Sequence, residues 1–260
     1  MPTLQLGDGA RLAFDDRGSG LPELLFVHGG AGDRTIWAPQ VEELSRHFRC
    51  IALDLRGYGE SSAVPAFTAA QQTEDLIALI ESLGLGRTIV VGHSLGGLAA
   101  LLLNRERPAL VGAVAVIDSP LTRAGVDPSR LAAMLRTAGS TEPLVERFFG
   151  ASTGSARSLA APVILRSSVE VVAAHLESAV VDATALHELV LLAAEKPFLA
   201  IWPAGEHGEG PRAADPGWLA TLAPGIRQEH LVGRHFVHLD QPEQTNAILR
   251  DFAMAVSGAD

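Results

Sequence analysis

The sequence predicts an α/β protein: a mainly parallel β-sheet flanked by helices, with a helical segment inserted into it. Three observations carry this. Short apolar runs, LLFVH at 24–28, FRCIALD at 48–54, TIVV at 88–91 and VGAVAVI at 111–117, alternate with stretches of helical spacing. Strands buried on both faces read as continuous apolar runs, and strand–helix alternation is the mark of a parallel sheet covered on both sides. The alternation breaks over 119–195 and resumes at 198–202 (FLAIW).

Taken in order, residues 11–16 (RLAFDD) alternate like a strand. The run at 24–28 ends in His-Gly-Gly and is a buried strand stopped by glycine. Trp37, Val41 and Leu44 give helical spacing over 37–46. The strand at 48–54 leads into the turn Leu-Arg-Gly-Tyr-Gly. Leu76, Ile77, Leu79, Ile80 and Leu83 set a helix over 68–83, closed by Gly84. The strand at 88–91 leads into a helix at 95–106, stopped by Pro108, and the valine-rich strand at 111–117 follows. Residues 119–195 then carry helical signals only: SRLAAMLRT, EPLVERFF and a long stretch from 167 to 194. After the strand at 198–202, a strand at 227–232 (RQEHLV) and a closing helix at 241–256 complete the pattern. The expected organisation is a core made of residues 1–118 and 196–260, with a helical cap at 119–195. Such an insertion sits over the carboxyl edge of the sheet, where open α/β folds bind ligands.

Composition narrows the function. The chain has 260 residues, 47% apolar and 19% charged, which excludes intrinsic disorder. The net charge is −10 and no run of lysine or arginine interrupts it, which argues against nucleic acid as a partner. Cys50 is the sole cysteine, so an intrachain disulfide and a multi-cysteine metal site are excluded. The N-terminus reads as neither a signal nor a transit peptide. The apolar runs fall short of the about 20 residues that span a bilayer. The expectation is a cytoplasmic protein with no membrane partner; the sequence leaves the oligomeric state open. There is no phosphate-binding Gly-x-x-x-x-Gly-Lys loop, no His-Glu-x-x-His zinc motif and no dinucleotide fingerprint after a strand. No metal and no cofactor are expected.

The segment that carries chemistry is Gly92-His93-Ser94-Leu95-Gly96-Gly97, between the strand TIVV and the helix LGGLAALLL. A sharp strand-to-helix turn forces its serine into a strained conformation and pushes the hydroxyl out at the top of the sheet. Glycines at 92 and 96 avoid clashes with the neighbouring elements. The Leu95 amide points to the same spot, at a helix N-terminus where negative charge is favoured. Three further motifs stand in order along the chain: Val27-His28-Gly29-Gly30, Asp54-Leu55-Arg56-Gly57-Tyr58-Gly59-Glu60-Ser61, and Gly233-Arg234-His235-Phe236 followed by Leu239-Asp240-Gln241-Pro242-Glu243.

With these motifs the chain resembles the α/β-hydrolase superfamily nearly end to end. The resemblance implies Ser94 as nucleophile and His235 as the base that activates it, with His238, three residues on, as the rival. It implies an oxyanion hole from the amides of Gly30 and Leu95, and makes the Asp54–Ser61 turn a structural marker. The third member of the triad orients the imidazole, and here the sequence departs from the common pattern. In most members it is an aspartate after the seventh strand, where this chain has Trp202-Pro203-Ala204-Gly205-Glu206. A subset carries it after the sixth strand, where this chain has Asp118. Asp118 is the favoured acid and Glu206 the alternative. Candidate pocket residues are His28, Trp37, His93, Phe148 and Phe236, together with Met134, Leu135 and Phe149. Arg123, Arg130, Arg136 and Arg147 are possible partners for a substrate carboxylate, and the sequence does not choose among them.

These residues imply a cofactor-independent, carboxylesterase-like serine hydrolase that cleaves a small, apolar or moderately polar ester or related acyl compound through an acyl-enzyme. The alternatives are other chemistry on the same scaffold, either C–C bond hydrolysis or cofactor-free oxygenation, and a small-molecule receptor that keeps the fold.

Overall fold

The computed structural model describes residues 2–63, 68–121, 127–179, 183–204 and 216–258. Eight strands form one sheet: β1 (Thr3–Gln5), β2 (Arg11–Arg17), β3 (Leu24–Val27), β4 (Cys50–Leu53), β5 (Thr88–His93), β6 (Val111–Ile117), β7 (Phe198–Ala204) and β8 (Arg227–Val232). Their order is β1-β2-β4-β3-β5-β6-β7-β8. β1 and β2 pair antiparallel, as do β2 and β4; every later pairing is parallel. The helices are α1 (Ala38–Leu44), α2 (Ala69–Ser82), α3 (Leu95–Glu106), α4 (Pro128–Ala138), α5 (Glu142–Phe149), α6 (Ser155–Arg166), α7 (Val169–Ser178), α8 (Ala183–Ala193), α9 (Pro216–Leu222), α10 (Val237–Asp240) and α11 (Pro242–Ser257).

The central strands match the continuous apolar runs. Every residue of β3, β4, β5 and β6 is buried. Strand β2 departs from the expected alternation, because Leu12, Ala13 and Phe14 are buried in succession between β1 and β4. β1 and α9 carry no sequence signal of the kind used above. β1 is only three residues long, half exposed, and defined by its pairing with Arg11, Leu12 and Ala13.

Between β6 and β7 the described chain is helical, α4 to α8, with the long apolar stretch from 167 split into α7 and α8. Local chemistry sets its boundaries. The Asp127 carboxylate accepts from the Arg130 N–H, Pro128 opens α4, and Gly139 closes it at φ 65°. α4 packs on α7 and α5 on α6, while α8 lies against α3 of the sheet layer. Among the described residues, no single helix is long and apolar enough to cross a membrane.

Candidate active site

The site stands at the carboxyl ends of β3, β5 and β6. Among the described residues, three non-glycines have positive φ: Ala31 (61°), Ser94 (53°) and Asp118 (42°). Each follows one of those strands. Strained backbone away from glycine persists only where its surroundings hold it, and such residues cluster at functional sites.

Ser94 links β5 to α3. Its N–H donates to the Ile117 carbonyl at 3.0 Å, which carries the β5–β6 ladder one residue past the strand. The glycines around it are there for space. A Cβ on Gly92 would lie 2.3 Å from the Gly96 carbonyl oxygen, and one on Gly96 would lie 2.2 Å from that of Val27. A Cβ on Gly29 would meet the Ser94 Cβ at 2.7 Å, so only glycine lets the loop after β3 lie against the serine. Leu95 opens α3, and its N–H has no acceptor within the helix.

The loop after β3 is fixed by two buried groups. His28 Nε2 accepts from the Leu55 N–H at 3.0 Å, so Nδ1 carries the proton and donates to the Gly29 carbonyl at 2.7 Å. Burial lowers the pKa of His28 and keeps it neutral. The Tyr58 hydroxyl accepts from the Ala31 N–H and is hydrogen-bonded to His175 Nδ1 on α7 at 3.0 Å. Burial pushes His175 down to about 3, so its ring is neutral. Tyr58 therefore ties the loop after β3 to the helical segment.

The structure brings Asp118 and His235 together: His235 Nδ1 lies 2.7 Å from Asp118 Oδ2, although 117 residues separate them. Asp118 is buried, and its N–H donates to the Ile201 carbonyl at 2.9 Å. Behind His235, His93 Nε2–H donates to the His235 carbonyl at 2.8 Å. Burial holds His93 well below the usual histidine range, so it stays neutral. In front, the Phe148 ring stacks on His235 with centroids 4.2 Å apart.

Ser94 and His235 line one cavity of about 560 Å³, counted to its open mouth, together with Gly30 and Leu95. The other walls are Pro120 and, from the helical segment, Leu131, Leu144, Arg147, Phe148, Val172 and Leu176. Of the expected pocket residues, only Phe148 lines this cavity. His28 and His93 are buried and engaged in the hydrogen bonds above. Trp37 is fully buried against Phe26 and His238, and Phe236 stacks on Phe149 in the core. Leu135 and Phe149 are core residues and Met134 is exposed. His238 is also buried, packed between Trp37 and His93 rather than beside Asp118. Glu206 and Arg123 lie outside the described residues. Of the remaining arginines, Arg136 pairs with Glu170 and Glu177, Arg130 is exposed away from the cavity, and Arg147 lines it. The aliphatic lining residues Leu131, Leu144, Val172 and Leu176 are not among the expected pocket residues; on α7 their signal is the i, i+4 spacing of Val172 and Leu176. Among the described residues, no group of three or more His, Cys, Asp or Glu side chains is arranged to hold a metal ion.

A model of the Alpha/beta hydrolase family matches residues 24–248. Over 122 residues the chain is 35% identical to the (E)-2-((N-methylformamido)methylene)succinate hydrolase of Acinetobacter baylyi. That alignment takes in 46% of each protein, so the matched segment spans less than half the relative's length. Among solved structures, the enol-lactonase of Burkholderia xenovorans LB400 superposes with a TM-score of 0.82 at 24% identity, over 96% of this chain and 99% of that one. A thermophilic esterase from Thermogutta terrifontis superposes with a TM-score of 0.80 at 27% identity, over 98% of both chains.

Proposed function

The chain belongs to the alpha/beta hydrolase family, and we propose that within it this protein is a cofactor-independent serine hydrolase that cleaves a small ester or related acyl bond through an acyl-enzyme. The observation that carries this reading is the 2.7 Å contact of His235 Nδ1 with Asp118 Oδ2, on a histidine that shares its cavity with Ser94. A carboxylate can only accept there, so Nδ1 carries the proton and Nε2 is left as the base. In the proposed reaction, Ser94 Oγ attacks the acyl carbon and gives its proton to His235 Nε2. The Asp118 carboxylate steadies the imidazolium. The N–H groups of Gly30 and Leu95 receive the developing oxyanion, and one such donor is typically worth about 3 kcal/mol. His235 then protonates the leaving alcohol. Water, activated by the same nitrogen, releases the acid and frees Ser94. The helices α4 to α7 act as a cap that supplies the apolar wall around the acyl compound.

Hydrolase, lactonase and esterase relatives support this class of reaction without naming the substrate. The test is turnover of a short p-nitrophenyl ester panel by wild type, Ser94→Ala, Asp118→Asn and Glu206→Gln. The expectation is loss of turnover in Ser94→Ala, a fall of up to about 10⁴-fold in kcat for Asp118→Asn, and little change in Glu206→Gln. If Ser94→Ala matches the wild type, the reading fails. If Glu206→Gln falls in place of Asp118→Asn, the assignment of the acid is wrong.

A further inference from the structure

We propose that the substrate of this site carries a carboxylate apart from the bond that is cleaved, and that Arg147 recognises it; this rests on the serine-hydrolase reading above. Apart from His235, Arg147 is the one residue with an ionisable side chain among the described residues that line the cavity. Helical geometry sets it there. Leu144, Arg147 and Phe148 stand at i, i+3 and i+4 on α5 and all three line the cavity, while Val145 and Phe149 turn into the core. Phe148, the next residue along α5, stacks on His235, so Arg147 adjoins in the chain the residue that covers that histidine.

Arg147 is also unmatched in charge. The other arginines of the helical segment that reach carboxylates do so within the protein: Arg136 with Glu170 and Glu177, Arg157 with Glu146, and Arg166 with Asp33. Arg147 forms no ion pair among the described residues. Its helical neighbours three and four positions away are Pro143, Leu144, Gly150 and Ala151, none of which is an acid. Arg147 is an exposed residue of the cavity wall, and with no ion pair among the described residues its charge is open to a ligand that enters the cavity. Its planar fork matches a carboxylate in two parallel hydrogen bonds. One cation in an otherwise apolar wall balances one carboxylate, whereas a phosphate dianion would be left under-compensated.

The test uses matched pairs of esters that differ only in charge. p-Nitrophenyl adipate, with a free terminal carboxylate, is compared with its neutral methyl ester. 4-Acetoxybenzoate is compared with methyl 4-acetoxybenzoate, which puts the charge on the leaving group instead. The quantity read is the ratio of kcat/KM, anionic over neutral. The expected result is a ratio above one in the wild type for at least one pair. That ratio should fall roughly ten-fold in Arg147→Gln and recover in part in Arg147→Lys. A wild-type ratio below one in both pairs, or an equal ratio in wild type and Arg147→Gln, overturns the proposal. Turnover that still depends on Ser94 would then leave the hydrolase reading intact. Calorimetric binding of adipate to Ser94→Ala, with and without Arg147→Gln, reads the anion site without chemistry. Roughly ten-fold weaker binding in the double variant supports the proposal, and equal binding overturns it even if no ester is cleaved.

Discussion

Lowering the pH from 7.5 to 5 should remove a large part of this protein's stability through histidines that burial keeps neutral. His175 and His238 are both pushed down to about 3, chiefly by desolvation. His28 adds repulsion at His175, and His235 adds it at His238. In the unfolded chain the same rings titrate at about 6.5. The folded value therefore lies below the unfolded one, and in the interval between them the unfolded state binds the extra proton. The stabilisation is fully present above about 6.5 and is drawn down as the pH falls toward 3. At pH 5 the unfolded ring is about 97% protonated and the buried ring almost unprotonated, a slope of about 1.3 kcal/mol per pH unit for each ring. Integrated from pH 7.5 to 5, the loss is about 2 kcal/mol per histidine, or about 4 kcal/mol for the two, against a typical total of about 5–15 kcal/mol. His93 acts in the same direction. Approach to the isoelectric point near 5.3 relieves the net negative charge and opposes the trend. Comparison with a variant removes that background. Urea unfolding at pH 7.5, 6 and 5 is measured for wild type and His238→Phe. The variant's stability should vary less between pH 6 and 5, by about 1.2 kcal/mol over that unit, whatever its absolute stability. Parallel curves would mean that the His238 ring is charged and hydrated in the native state, and the argument from burial would be wrong.

Three further outcomes follow from the packing. Cys50 is buried and its thiol is pushed up to about 12 by desolvation, so Ellman's reagent should react only on unfolding; prompt labelling of the native protein would contradict this. Gly92→Ala puts a Cβ 2.3 Å from the Gly96 carbonyl oxygen, a backbone atom that cannot step aside, and should lower stability by about 3 kcal/mol or more together with turnover; a variant with wild-type Tm and kcat would mean the turn after β5 is looser than described. Tyr58→Phe removes the acceptor of the Ala31 N–H and the bond to His175, and should lower kcat about ten-fold with a stability loss of about 1–3 kcal/mol; an unchanged kcat would detach Tyr58 from the loop that holds Gly30.

The interior strands were legible because burial on both faces leaves a continuous apolar run. The edge was not, since β1 has three residues and takes its definition from β2. The turns that hold Ser94 and His235 were legible because their backbone needs are written in neighbouring residues. The contact of His235 with Asp118 is different in kind. It exists because β5, β6, β7 and β8 are neighbours in that order, which brings the ends of β6 and β8 to one edge. No local pattern encodes that order, so the sequence left Asp118 and Glu206 as rivals. Pocket walls are harder still. Phe148 and Phe149 are adjacent and chemically identical, yet a turn of about 100° along α5 sets one ring on His235 and the other on Phe236 in the core. Composition identifies both as apolar and cannot say which one faces the cavity.

The three strained residues stand together at the carboxyl edge of the sheet, where the proposed chemistry would take place. A non-glycine held at positive φ costs on the order of 1–3 kcal/mol, and it persists only if its surroundings over-determine it. At Ser94 and Asp118 the restraint is the same device. The residue just past the strand keeps its N–H in the parallel ladder, to Ile117 and to Ile201 respectively, while φ swings its side chain out of the pleat. Strands β5, β6 and β7 are buried along these lengths, so neither ladder bond can be exchanged for water. Ala31 is held by a side chain instead, the Tyr58 hydroxyl, which also engages His175 on α7. Two of the three site-forming turns are thus fixed by the sheet itself, and the third, which carries Gly30, is fixed through a bond shared with the helical segment. A change in α7 that disturbs His175 therefore reaches the loop beside Ser94 without touching Ser94, His235 or Asp118. Of the three turns, that loop is the one tied through Tyr58 to how the helical segment packs.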